Sequence, residues 1–97
     1  MAIIDLDSIG FDPEFTGRIL DSVAGLTGLP RENIRLSCTH THSGPNPFRL
    51  PVITEGRDMI LEYMNALLLR ISGAVWQAQQ NLRPVRIGAA SVLVTST

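Results

Sequence analysis

The stretch that decides the fold is residues 2–20, AIIDLDSIGFDPEFTGRIL. Ile3, Ile4 and Leu6 form a β-rich apolar run that turns polar and ends at Gly10, which predicts a buried strand over about residues 2–7. Asp12, Pro13 and Glu14 then supply a strong helix start. The aspartate is a side-chain acceptor for exposed amides, the proline is pre-set for the first turn, and the acid suits the amino-terminal turn. Phe15, Ile19 and Val23 follow at four-residue spacing with Leu20 beside them, so the helix is expected to run to about Ala24. Gly25 and Gly28 are its candidate terminators, and Pro30 blocks its continuation.

Working outward, NIRLSC (33–38) alternates Ile34, Leu36 and Cys38 against Arg35 and Ser37, the period-two pattern of a strand. SGPNPFRLPVITEGRD (43–58) carries three prolines and two glycines in sixteen residues. A connection of that length in a small domain usually has a function. A second helix is expected from near Asp58, or from Thr54, with Ile60, Met64, Leu67, Ile71, Ala74, Val75 and Ala78 on one apolar stripe. Arg57, Glu62, Arg70 and Gln77 fall elsewhere, and Asn81 and Pro84 end the helix. VRIGAASVLVTST (85–97) reads as a third strand, bulged at Gly88. The order β-α-β-α-β predicts an α/β fold with a mostly parallel sheet and right-handed crossovers. Such sheets are normally covered on both faces, and two helices cover one. The expectation is therefore that residues 1–97 are one partial unit of a larger α/β domain.

Composition narrows the function classes. Ninety-seven residues allow one modest core, and 44% hydrophobic with 18% charged residues is globular rather than disordered. The eight basic residues are scattered and the net charge is −1, so no phosphate-tracking stripe points to nucleic acid. One cysteine excludes an internal disulfide. The apolar stretch at 59–78 is broken by polar residues and is not expected to span a membrane. MAIIDLDSIG lacks the basic and apolar regions of a signal peptide.

Both histidines of the chain lie in CTHTHSGP (38–45). On an extended backbone His40 and His42 share a face, about 6.6–6.8 Å apart, close enough to converge on one ion. They follow the second strand at its carboxyl end, where open α/β sheets bind ligands. Asp5 and Asp7 arrive at the same edge, and Asp7 is the candidate carboxylate to orient a ligating ring. Ser43, Gly44 and Pro45 would shape the turn that aims His42. Glu55 is a conceivable third ligand and equally a solvated loop acid. Ser43 has no third histidine to serve as its base. Arg49 and Arg57 could meet an anion or simply be solvated, while Tyr63 and Trp76 read as packing residues. From spacing and position alone, a metal clamp and a chance H-x-H stay open alternatives.

GLPRENIRLSCTHTHSGPN (28–46) resembles the N-terminal catalytic domain of the neutral/alkaline, non-lysosomal ceramidase family. There a strand ends in A-T-H-T-H-[SA]-G-P after a Pro-x-x-Asn turn, here Pro30 to Asn33. LDSIG (6–10) and RPVRIGAA (83–90) fit the same order at the level of pattern, so the likeness spans nearly the whole chain. The resemblance implies that His40 and His42 are two ligands of a catalytic zinc. A further histidine, a glutamate and a tyrosine complete the family's site from far downstream, and no residue here matches them. The implied reaction is cleavage of N-acylsphingosine to sphingosine and fatty acid by zinc-activated water, with a ceramide-like lipid amide as substrate. Family members are often secreted or membrane-associated. Cys38 stands where alanine is common, and PNPFRLP (45–51) departs from the family's glycine-rich continuation, which bears on the substrate more than on the metal. Two other readings stand beside this one: an amidohydrolase-like metalloenzyme, which also uses H-x-H at a strand end, and a non-catalytic metal-binding or interaction module retaining a remnant site. On any of them a truncated sheet would expose apolar surface and favour self-association.

Overall fold

The computed structural model describes residues 1–47 and 57–96, with backbone alone at 57 and 58. Its elements are strand β1 (Ala2–Leu6), helix α1 (Pro13–Thr27), a single 3-10 turn at Arg31–Asn33, strand β2 (Ile34–Cys38) and helix α2 (Arg57–Gln80). The described chain is thus mixed α/β, with two parallel strands and two helices. The strands pair in register from Ala2 opposite Ile34 to Leu6 opposite Cys38.

Helix α1 begins and ends where its capping residues lie. Asp12 is extended, and its Oδ1 accepts from the Phe15 amide at 2.7 Å. Phe11 meets Phe15 edge-on at 5.2 Å, closing the entry to the helix. At the far end Gly28 takes a left-handed φ of 74° and donates its N–H to the Ala24 carbonyl at 2.9 Å. Glycine meets no Cβ penalty in that conformation. Gly25 stays inside the helix, so Gly28 alone is the terminator.

The core lies between the helices and one face of the sheet. Ile4 and Ile34 meet Phe15, Ile19 and Val23 of α1 and Met64 and Ile71 of α2. Burying each large apolar side chain is worth about 1.5–3 kcal/mol. Of the apolar stripe on α2, Met64 and Ile71 are buried, Ile60, Leu67 and Val75 pack partly, and Ala74 and Ala78 are exposed. Tyr63 packs against the core as expected, whereas Trp76 is 46% exposed. The two helices run in the same direction. Arg18 bonds Asn65 at 3.0 Å, Ser22 bonds Ser72 at 2.6 Å, and Gln79 donates to the Thr27 carbonyl at 2.9 Å, each contact further along both helices than the last. Because β1 and β2 are parallel, α1 returns against the strands, and α2 does so too.

The expected third strand, bulged at Gly88, is not formed: residues 85–96 have no strand partner and are exposed. The placement of α2 explains this. It lies along the β1 flank, where the two enclose a groove of about 510 Å³. A parallel strand from the chain's own tail on the outer edge of β1 would make the β2–α2 crossover opposite in hand to the β1–α1–β2 crossover on the same face. Parallel crossovers are right-handed in about 98% of cases. Val85, Ile87, Val92 and Val94 make residues 85–94 β-prone, but the fold offers them no partner of allowed hand there. The Cα radius of gyration is 16.7 Å, against about 13 Å for a compact chain of this size, in keeping with a tail that leaves the body.

Candidate functional site

The carboxyl edge of the sheet is built by the two strand exits. Beyond the strands the ladder is extended by Thr39 N–H to the Leu6 carbonyl and His40 N–H to the Ser8 carbonyl, both at 2.9 Å. The segment Asp7–Gly10 thereby becomes a shelf beside the histidines. Gly10, at φ 145°, lets that shelf turn away toward α1.

His40 and His42 come together, though not by the extended geometry expected from their spacing. His40 is left-handed, with φ 63°, so the backbone turns at the first histidine instead of continuing as a strand. Such a conformation costs a non-glycine residue roughly 1–2 kcal/mol. The backbone hydrogen bond to Ser8 and the ring's bond to Ile9 offset that cost. His40 Nδ1 lies 2.7 Å from the Ile9 carbonyl oxygen. A carbonyl only accepts, so Nδ1 carries the proton and, in the neutral ring, Nε2 keeps its lone pair for a ligand.

The two rings lie edge to face, 4.9 Å between centres and 88° between planes. That is an ordinary aromatic contact. It is also the spacing for two imidazoles on one tetrahedral ion: bonds of about 2.0–2.1 Å place the ring centres roughly 5 Å apart. Both rings are solvent-exposed and accessible from the edge.

The group that orients His40 is the Ile9 carbonyl, whereas Asp7 is exposed and no described contact joins its carboxylate to either ring. Asp5 lies on the outer face of the sheet and accepts from Ser37 Oγ at 3.0 Å. Ser43 N–H donates to Thr41 Oγ1 at 3.2 Å, the short-range bond of a serine/threonine turn, and Gly44 and Pro45 follow it at the surface. Glu55 and Arg49 lie outside the described residues, as does the Arg57 side chain. Among the described residues no group of three or more His, Cys, Asp or Glu gathers.

Sequence reading passed over Ser8 and Ile9. Ser8 is buried, and its Oγ has no hydrogen-bond partner although its carbonyl holds His40. Ile9 acts through its main chain, which no side-chain pattern reveals. The signal that existed was the glycine two residues after Ser8, marking a backbone that turns beneath the neighbouring strand. Cys38, on the core-facing side at the end of β2, has its thiol pKa raised from 9.0 by burial and then by the Asp5 carboxylate.

No protein-family model, curated protein or solved structure matches the chain. No helix among the described residues is long and apolar enough to cross a membrane.

Proposed function

We propose that the chain supplies two zinc ligands, His40 and His42, to an amide hydrolase of the neutral-ceramidase type, as part of a larger α/β domain. The observation that carries this reading is the 4.9 Å ring spacing at the carboxyl edge, which suits shared tetrahedral coordination. The likeness of residues 28–46 to the ceramidase histidine segment supplies the reaction class. Zinc at this position would supply Lewis-acid polarisation of an amide carbonyl and an activated water. The chain's own part is positional. Ile9 fixes the tautomer and plane of His40, the Thr41–Ser43 turn sets the direction of His42, and the exposed edge admits a lipid amide.

The test is zinc content after equilibrium dialysis of the wild type, His40→Ala and His42→Ala. Two imidazoles, with no further ligand gathered among the described residues, should bind zinc weakly, and each substitution should lower occupancy at a given free zinc concentration. Equal zinc in all three proteins would end the proposal. Hydrolysis of a ceramide by this chain that a chelator leaves unchanged would also contradict it.

A further inference from the structure

The groove between β1 and α2 and the unpartnered tail are complementary features of one chain. Thirteen residues line the groove, among them Ile3, Ile4, Leu6, Ala74, Val75 and Ala78. Its floor is the outer edge of β1, a strand paired on one side only, whose outward amides and carbonyls form a template for another strand. Leu82, where the tail departs, sits at the groove's rim. Beyond it Val85, Ile87, Val92, Leu93 and Val94 are 73–92% exposed. Among the described residues none of these side chains joins the core cluster.

We propose that the groove receives residues 85–94 of a second copy of this chain, each tail adding as a strand to the other copy's β1 in a reciprocal, two-fold dimer. Backbone pairing would give register, and alternate tail side chains would enter the apolar groove beneath α2, as in strand addition generally. Three observations choose a second copy as the occupant. The tail is rich in β-branched apolar residues and has no strand partner among the described residues. The same tail on its own β1 edge requires crossovers of opposite hand on one face, a restriction that vanishes when no covalent connection joins tail to groove. Finally, groove and tail lie on the same protomer, so one two-fold axis satisfies both at once, and together they approach the 20–30 residues a side of a standard interface.

The test uses the full chain in light scattering coupled to size exclusion. The wild type should run with the mass of two chains. Ile87→Lys, in the tail, and Ala78→Arg, on the exposed groove wall, should each run as one chain with unchanged far-UV circular dichroism. Ile87 is 92% exposed and outside the core cluster, so its substitution leaves folding intact. An equimolar mixture of the two variants should recover dimers, because one intact tail and one intact groove then meet in the heterodimer. A monomeric wild type overturns the proposal, whether its tail amides exchange freely or are protected by docking on their own chain. Dimers that persist in both variants, or variants that fail to complement each other, overturn it as well.

Discussion

His40 combines two demands on a single residue. Its ring is held by the Ile9 carbonyl, and its backbone occupies a region that favours glycine. Substitutions separate the two. His40→Gly should be more stable than His40→Ala by about 1 kcal/mol, since both lose the ring and only alanine keeps the left-handed penalty. Urea unfolding of the pair measures this, and the opposite order would mean that the turn collapses without the ring. The turn was illegible in the sequence, because H-x-H after an alternating strand reads as more strand. What holds the turn is a main-chain bond from His40 to Ser8 and the ring's bond to the Ile9 carbonyl, and main-chain partners carry no letter code. Cys38 bears a second residue-scale prediction. Its folded-state thiol pKa lies above the ordinary 9.0, so its stabilising contribution is complete below that value and is lost as pH rises through the folded pKa. As pH rises through and above 9.0 the wild type should therefore lose more stability than Cys38→Ala. Parallel slopes of urea midpoint against pH would contradict this.

At the scale of elements, α1 and β2 were readable because each carries its own boundary chemistry. Asp12 and Gly28 cap α1, and the Pro30–Asn33 turn, closed by Asn33 N–H to the Pro30 carbonyl at 2.9 Å, launches β2. The pairing of the helices was less visible. Apart from the apolar stripe it depends on small polar contacts, chiefly Ser22 with Ser72. Ser72 is buried and donates to the Leu68 carbonyl at 2.9 Å, so Ser22 donates to Ser72. Ser22→Ala and Ser72→Ala should each cost about 1 kcal/mol, and the double variant less than their sum by roughly 0.5 kcal/mol or more. Strict additivity in a double-mutant cycle would show that the hydroxyls do not act as a pair. The tail marks the limit of element-level reading. β-Branched content identifies a segment able to be a strand, while the availability of an edge with an allowed crossover is a property of the assembled sheet.

At the scale of the whole molecule, the expectation of a sheet covered on one face corresponds to the face away from the helices, where Ile3, Asp5 and Arg35 are exposed. The edge with the histidines and the flank with the groove are different sides of the same small sheet, so ligand binding and tail exchange can be tested independently. The parallel run of the two helices has one more consequence, which is electrostatic. Since both return against the strands, their amino-terminal ends point toward the carboxyl edge of the sheet. Each helix end presents the equivalent of about half a positive charge. At the α1 end that partial charge already faces Asp12, whose carboxylate accepts from the Phe15 amide, and Glu14 in the first turn. A further carboxylate brought to this edge would meet helix ends that favour it and the carboxylates of Asp7, Asp12 and Glu14 that oppose it.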